Sequence, residues 1–342
     1  MFTHRRWSGF TLVELLVVIT IIGILMGMIV PAINSARETA RLADCASKIR
    51  NVAVAMNSYC TTHGVFPMNW GFTDKKGMQT VGHSWISLVL PQLERTDVYQ
   101  MIKFGGNQVT LGFNATSGRD RGKDNLEAAT TVLPILRCPT DTGEGTASNQ
   151  ELLLGEEVAT TNYKAVCGSN WSVGPDGREG YVSSNRGRNA NIHEDGDTVN
   201  CRDRGNGLMP RGGNPSTIER TPATAVYFPT STAAITDGLG NTFAVGETVP
   251  AWTGYAAWYW WDGAIGTCGL LLNLNRTGES NGREMDANDY KYSYGFFSRH
   301  SAGANFAFCD SHVRFISESI APNIYQALAT ISGREVAQLP MD

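Results

Sequence analysis

Residues 1–33 read MFTHRRWSGFTLVELLVVITIIGILMGMIVPAI, and this stretch decides how the rest of the chain is placed. From Phe10 to Ile33 nearly every side chain is apolar, and a helix of this length spans roughly 36 Å, enough to cross the hydrocarbon core of a membrane once. His4, Arg5 and Arg6 precede the apolar run, and basic flanks stay on the cytoplasmic side. We therefore predict a single membrane-spanning segment over 10–33, with the N-terminus in the cytoplasm and the rest of the chain exported.

The junction between the basic leader and the apolar run carries a specific motif. Gly9-Phe10-Thr11-Leu12-Val13-Glu14 resembles the class III signal of type IV prepilins and pseudopilins. The resemblance implies that residues 1–9 are a leader, which a membrane aspartyl peptidase removes after Gly9. It also implies that the mature chain begins at Phe10 with an N-methylated amine. A secretory signal peptide would instead carry its cleavage site after the apolar core.

Glu14 is a carboxylate inside the apolar run. A charged side chain there costs about 2.5–3.5 kcal/mol on insertion scales unless it is paired or reaches the interface. In pilin-like proteins the matching glutamate meets the N-terminal amine of a neighbouring subunit, so the resemblance implies a role for Glu14 in assembly. The alternative is that Glu14 reaches the lipid headgroups from the end of the helix.

Helical character continues beyond the membrane segment. Small residues together with Ile49 and Met56 recur near a 3.6-residue spacing up to about residue 62, and His63-Gly64 supplies a stop. We predict one helix over 10–63, of which the first half is an anchor and the second half a scaffold. Two helices separated near Pro31 are the alternative, because proline lacks a donor N–H.

The remaining residues, 64–342, have the composition of an exported globular domain. The chain of 342 residues is 42% hydrophobic and has a formal net charge of -4, which fits neither a disordered chain nor a nucleic-acid-binding one. Strand-like segments such as Asn162–Val166 and Phe243–Val245 predict an α+β fold, in which the long helix packs on a β-rich, mainly antiparallel, pilin-like domain. A stretch rich in Gly, Asn and Arg at about 169–222 predicts a loop-rich insertion.

The C-terminal part of the chain carries a second resemblance. Residues 298–317, SRHSAGANFAFCDSHVRFIS, resemble the H-X9-DG signature of a large family of prepilin-like exported proteins, DUF1559, which has no established biochemical activity. Alternation predicts a β-hairpin whose turn is Asp310-Ser311, where serine replaces the glycine of the signature and costs about 1 kcal/mol at positive φ. His300, Asn305 and Asp310 are assigned structural roles, with His300 hydrogen-bonded to the turn around Asp310.

Metal and catalytic chemistry have less support from the sequence. His300, Asp310 and His312 are residue types that bind zinc or transfer protons, but no fourth ligand or nucleophile is specified. No G-x-S-x-G elbow, H-E-x-x-H pair or phosphate loop occurs. We therefore expect no catalytic residue, no metal and no cofactor. The alternative is calcium bound by oxygen ligands of the predicted insertion, although their spacing does not match an EF-hand: Asp195, Asp197, Asn200 and Asp203.

Seven cysteines occur in the chain, and export to an oxidising space would permit disulfides. Cys45 and Cys60 cannot bridge on one helix, because their spacing places them about 22 Å apart. We predict a disulfide between Cys45 and Cys138, which would join the long helix to the globular domain.

Six aromatic residues are concentrated between Trp252 and Trp261, and we predict a strand there. One face of this strand would pack in the core. The other face would cover the insertion, contact another subunit or stack on a sugar, because exposed aromatic patches usually bind something.

Taken together, these features predict a non-enzymatic pilin or pseudopilin-like structural subunit. Its partners would be prepilin peptidase, inner-membrane lipid and other pilin-like subunits that contact the N-terminal helix; no nucleic acid is expected. The subunit would assemble into a type II secretion pseudopilus or a type IV pilus-like filament, with its globular domain in the periplasm or on the filament. The alternative is a membrane-anchored exported protein that binds a glycan or another solute.

Overall fold

The computed structural model describes most of the N-terminal helix and the core of the globular domain. The described residues are 11–73, 80–104, 125–147, 157–169, 205–209, 211–212, 229–261, 263–274, 279–280, 283–284 and 293–334. The predicted cleavage site at Gly9 and Phe10, the candidate calcium ligands at 195–203 and most of the predicted insertion lie outside these residues.

Helices are concentrated in the first half of the described chain. The α-helices are α1 (Leu12–His63), α2 (Trp85–Val89), α3 (Thr96–Met101), α4 (Leu126–Thr130) and α5 (Pro322–Ala327). Short 3₁₀ turns occur at Pro91–Leu93, Pro134–Leu136, Thr232–Ala234, Leu239–Asn241 and Pro250–Trp252.

Strands follow the long helix and return along the rest of the chain. They are β1 (Asn69–Thr73), β2 (Thr80–His83), β3 (Thr146–Ala147), β4 (Val158–Ala159), β5 (Tyr163–Gly168), β6 (Arg211–Gly212), β7 (Phe243–Glu247), β8 (Ile265–Thr267), β9 (Glu279–Ser280), β10 (Arg283–Glu284), β11 (Gly303–Phe308) and β12 (Val313–Ser317).

The long helix α1 is continuous from Leu12 to His63, and Pro31 lies inside it. The alternative of two separate helices is therefore wrong. The chain divides into two compact units between Ala43 and Asp44. Buried residues of α1 begin in the second unit and recur about once per helical turn, at Cys45, Ile49, Val52 with Ala53, Ala55 with Met56, and Cys60. This spacing gives the second half of α1 one apolar face.

A five-stranded sheet forms the centre of the second unit, in the order β12-β11-β7-β5-β8. Its neighbours are antiparallel except β5 and β8, which are parallel. Tyr163 of β5 pairs with Glu247 of β7, and Gly246 of β7 pairs with Phe306 of β11. This arrangement confirms the predicted α+β class, with a mainly antiparallel sheet.

Two apolar clusters cover the two faces of this sheet. The first contains Ile49 and Val52 of α1 together with Ala165 and Val245 of the sheet. The second contains Val166 and Phe306 of the sheet, and also Tyr325 of α5. Because Ala165 and Val166 are consecutive residues of β5, they point to opposite faces. The sheet therefore lies between the second half of α1 and α5.

The predicted C-terminal hairpin is present as β11 and β12. Ala307 and Val313 form the last ladder pair, the Phe308 amide donates to the His312 carbonyl (2.9 Å), and Ser311 has a φ of +73°. The Ser311 amide also donates to the Phe308 carbonyl (2.9 Å), so residues 308–311 form a turn whose last residue, Ser311, is left-handed. The loop is thus longer than the two-residue turn that an Asp-Gly pair would favour.

A side chain of α1 fastens this turn. Asn57 Nδ2 donates to Ser311 Oγ (2.7 Å) and to the Cys309 carbonyl (2.9 Å). The serine at the left-handed position therefore gains a hydrogen bond that glycine could not make.

The aromatic segment Trp252–Trp261 is not a strand, contrary to the prediction. It contains a 3₁₀ turn and one isolated bridge, between Ala257 and Thr160, and the chain then turns, with the Gly263 amide donating to the Trp260 carbonyl (3.0 Å). The indoles of Trp258 and Trp260 are buried, as is the ring of Tyr259. Packing of these large rings against several elements outweighs their strand propensity. The segment therefore offers no exposed row of rings for stacking on a sugar.

Candidate functional site

The first turn of α1 contains a reciprocal cap. Thr11 Oγ1 accepts the Glu14 amide (3.3 Å), and Glu14 Oε2 accepts the Thr11 amide (2.9 Å) and the Thr11 hydroxyl (2.8 Å). This is a capping box, in which a threonine and a glutamate three residues later satisfy two amides that lack a partner within the helix. The carboxylate of Glu14 is therefore hydrogen-bonded within its own chain.

The helix beyond this cap presents an apolar surface. Its large hydrophobic side chains from Leu12 to Ile33 are 45–78% exposed. Among the described residues, α1 is the one helix long and apolar enough to cross a membrane. An exposed apolar surface of this extent is typical of a membrane or protein contact, and it indicates membrane anchoring of the chain.

A second candidate site lies inside the globular unit, where four segments bring together four side chains of the types that bind metals. Cys45 comes from α1, Cys138 from the segment after the Pro134–Leu136 turn, Glu247 from the end of β7 and His300 from the loop before β11. Their ligand atoms all lie within 4.8 Å of one another. The four residues are at most 7% exposed. We call this set the thiol-carboxylate cluster.

Three close approaches define the geometry of the thiol-carboxylate cluster. Cys45 Sγ donates to Glu247 Oε1 (2.6 Å), and Cys138 Sγ lies 3.4 Å from His300 Nε2. His300 Nε2 is also 3.8 Å from Glu247 Oε1. The imidazole thus lies between one thiol and the carboxylate.

Neighbouring side chains hold the members of the cluster in place. Asn305 donates its backbone amide to Glu247 Oε2 (3.1 Å) and its side-chain amide to Glu247 Oε1 (2.8 Å). Thr140 Oγ1 shares a hydrogen bond with His300 Nδ1 (3.4 Å), which leaves Nε2 facing the cluster. The Tyr163 hydroxyl lies 3.3 Å from Cys45 Sγ.

Asp141 joins the segment that carries Cys138 to the segment that carries His300. Its carboxylate accepts Arg299 Nε (2.9 Å) and Asn162 Nδ2 (2.8 Å). Asn162 in turn accepts the Cys138 amide through Oδ1 (3.1 Å). Because buried amide and carboxylate groups that lose a partner are costly, this network fixes the positions of both segments.

The two thiols of the cluster ionise differently. The pKa of Cys138 is lowered to about 5, chiefly by its interaction with the neighbouring Cys45 side chain. Burial acts against this shift, and His300 adds to it. Burial, the bond to Cys138 and the nearby Glu247 carboxylate raise the pKa of Cys45. Burial and the charge of Cys138 raise the pKa of Glu247. Of the two thiols, Cys138 is therefore the one whose ionised form is favoured, and Cys45 is the one whose protonated form is favoured.

The predicted disulfide between Cys45 and Cys138 is wrong, although the two residues are adjacent. Both are free thiols, and the Cys45 thiol is instead engaged with Glu247. Cys167, for which the sequence indicates no particular partner, is disulfide-bonded.

The predicted bond between His300 and the turn around Asp310 is also wrong. The two ring nitrogens of His300 face the cluster and Thr140, and Asp310 Oδ1 instead meets His312 Nδ1 (2.6 Å). Within the loop before β11, the His300 amide donates to Ser298 Oγ (3.1 Å).

Sequence reasoning missed Glu247 as a site residue. One signal was available, since Glu247 ends the apolar strand FAVGE, and a carboxylate in a buried strand requires partners. The positions of residues along the sequence do not show which side chains are the partners of Glu247.

Two family models match the chain, one at its N-terminal segment and one over most of the remaining residues. A family model described as "Prokaryotic N-terminal methylation motif" matches residues 8–30, and one described as "Protein of unknown function (DUF1559)" matches residues 34–323. The type II secretion system core protein G of Pseudomonas aeruginosa is 35% identical over 64 residues, which are 19% of this chain and 45% of that protein. The chain therefore spans less than half the length of this curated relative. No solved structure matches the chain. The family matches confirm both sequence resemblances.

Proposed function

The chain belongs to the family described as "Protein of unknown function (DUF1559)", and we propose that it is a pilin-like structural subunit that assembles with other such subunits through its N-terminal helix. The observation that carries this proposal is the exposed apolar surface of α1 in a segment that matches the methylation motif. The similarity to a core protein of type II secretion supports the same class of function.

Anchoring precedes assembly in this proposal. The basic leader stays in the cytoplasm, the apolar half of α1 crosses the inner membrane, and the globular unit is exported to the periplasm. Prepilin peptidase then removes residues 1–9 and methylates the new amine of Phe10. During assembly, the apolar surface of the helix loses its contact with lipid and packs against the helices of neighbouring subunits. The product is a secretion pseudopilus or a type IV pilus-like filament.

Glu14 has two successive roles in this scheme. In the isolated chain its carboxylate completes the cap with Thr11. In a filament it pairs with the Phe10 amine of a neighbouring subunit, which would otherwise be a buried charge without a partner. The proposed role of the whole chain is structural and not enzymatic.

Intact mass spectrometry of the membrane-extracted protein tests the processing step. The expected species lacks residues 1–9 and carries one added methyl group. Recovery of the functional protein with the leader still attached would overturn the proposal.

Substitution of Glu14 tests the assembly step. Glutamine at the third helical position also completes a capping box, so Glu14→Gln keeps the cap and removes the charge. We expect this variant to insert into the membrane but to be absent from sheared filaments of a host with the cognate assembly machinery. Glu38→Gln is the matched control, because it removes a partly exposed acid of the same helix that pairs with Arg41 (3.7 Å). Assembly of Glu14→Gln at the wild-type level would show that Glu14 only caps the helix.

A further inference from the structure

We propose that the thiol-carboxylate cluster is a binding site for one zinc ion, held by Cys45, Cys138, Glu247 and His300 inside the globular unit. The site is independent of filament assembly. It follows from the position of four ligand atoms within 4.8 Å of one another at the meeting point of four chain segments.

The donor set favours zinc over the other common metal ions. Two thiol sulfurs, one imidazole nitrogen and one carboxylate oxygen form a mixed set of the kind that zinc takes with four-coordinate geometry. Calcium and magnesium prefer oxygen ligands throughout and would leave the sulfurs without a role.

Two separations between ligand atoms suit a tetrahedral ion as they stand, whereas the widest, up to 4.8 Å, would have to shorten by about 1 Å. With zinc bonds of about 2.0–2.3 Å, neighbouring ligand atoms are separated by about 3.3–3.8 Å. Cys138 Sγ and His300 Nε2 are 3.4 Å apart, and His300 Nε2 and Glu247 Oε1 are 3.8 Å apart. Cys45 Sγ and Glu247 Oε1, at 2.6 Å, would have to separate by about 1 Å, which requires loss of the hydrogen bond between them.

The groups around the cluster are those that orient metal ligands. Thr140 holds His300 Nδ1, so that Nε2 is the ligand nitrogen. Asn305 fixes the Glu247 carboxylate through two hydrogen bonds, and the Tyr163 hydroxyl is close enough to donate to the Cys45 sulfur. Three of the four ligands, His300, Glu247 and Cys45, are therefore positioned by a neighbouring group that does not itself bind the ion.

Charge also explains why a cation fits this place. The cluster buries three groups that become anionic when they ionise, and burial of such groups without a counter-charge is costly. On loading, zinc forms bonds to two sulfurs, one nitrogen and one oxygen. The thiol protons and any proton on Glu247 leave to solvent, and no atom changes its oxidation state. Four protein ligands close the coordination shell, which is typical of a structural and not a catalytic zinc.

Metal analysis of the full-length protein tests this site. The protein is purified in detergent with a reducing agent and without a chelator, and zinc is measured by mass spectrometry of the metal. We expect one zinc per chain, and a thiolate-to-cobalt charge-transfer band when cobalt replaces zinc. Cys138→Ser and His300→Ala should each lower zinc occupancy by about tenfold or more.

Two controls separate ligand loss from misfolding. Cys60→Ser removes another buried free thiol of α1 that lies outside the cluster, and it should retain zinc fully. Thr140→Ala leaves all four ligands in place but removes the support of His300, so zinc affinity should fall by about 10–100-fold with unchanged tryptophan fluorescence. A chelator should lower the melting temperature of the wild type and of Cys60→Ser, but not that of Cys138→Ser.

Three results would overturn the proposal. These are wild-type protein that takes up no zinc under reducing conditions, equal zinc content in the wild type and Cys138→Ser, and a cobalt spectrum without a thiolate band. A Cys45–Cys138 disulfide found in the exported protein would also exclude the site, because both sulfurs would then be unable to bind the ion.

Discussion

Replacement of Ser311 by glycine and by alanine should have different effects on the stability of the globular unit. Ser311 has a φ of +73° at the turn between β11 and β12, and its Oγ accepts Asn57 Nδ2 at 2.7 Å. Ser311→Ala keeps the left-handed backbone and loses the hydrogen bond, which should cost about 1 kcal/mol. Ser311→Gly loses the same bond but relieves a backbone cost of about 1 kcal/mol.

The glycine variant should therefore remain within about 0.5 kcal/mol of the wild type, and should be more stable than the alanine variant by about 1 kcal/mol. Urea unfolding of the full chain in a non-ionic detergent, followed by the fluorescence of buried tryptophans such as Trp85 and Trp258, measures this difference. With an m-value of about 2–3 kcal/mol/M, the two midpoints should differ by about 0.3–0.5 M.

Asn57→Ala provides the control for this measurement. In that background Ser311→Ala has no hydrogen bond left to lose, so its cost should largely disappear. Equal midpoints for the glycine and alanine variants would refute the assignment of a left-handed residue to this turn. An undiminished cost of Ser311→Ala in the Asn57→Ala background would refute the link between α1 and the hairpin.

Three further predictions concern the interior of the globular unit. Gly246→Ala should lower its stability by about 1–3 kcal/mol in the same urea assay, because the added Cβ would lie 2.5 Å from Phe306 Cε1 and 2.6 Å from Phe296 Cδ1. Asn162→Ala should cost about 2–4 kcal/mol, because it removes three buried hydrogen bonds; a midpoint shift below that of Ser311→Ala would contradict this. Burial lowers the pKa of His83, so below about pH 6.5 the unfolded chain binds a proton that the folded protein does not. The melting temperature should therefore fall between pH 7 and pH 5.5, and His83→Gln should reduce this fall.

The elements that could be predicted from the sequence are those with a strong local pattern. The helix from Leu12 to His63 follows from an apolar run and a 3.6-residue spacing, and the hairpin 303–317 follows from alternation around a polar turn. The strand predicted over Trp252–Trp261 is wrong, because aromatic residues favour strands in general but here pack as separate rings in the core. Local pattern does not report such a tertiary effect.

The thiol-carboxylate cluster could be predicted only in part. Cys45 and Cys138 are neighbours as expected but do not form a disulfide, and the sequence gives no sign that a carboxylate lies beside one thiol. Glu247 and His300 reach the same place through the pairing of β7 with β5 and β11, a long-range register that spacing along the chain does not specify.

The order of the central sheet has a consequence for the timing of folding. Strand β7 lies between β5, made earlier, and β11, made later, so the sheet is incomplete until the chain has been synthesised to about Ser317. At about 5–20 residues per second, the stretch from Gly64 to Ser317 takes about 13–50 s to make. The long helix is complete before that interval begins, whereas β5, β7 and β8 form a partial sheet whose β7 edge stays open until β11 is made near its end. During this time the open edge is prone to pair with other chains. This protein should therefore depend on chaperones more than a helical protein of equal length does.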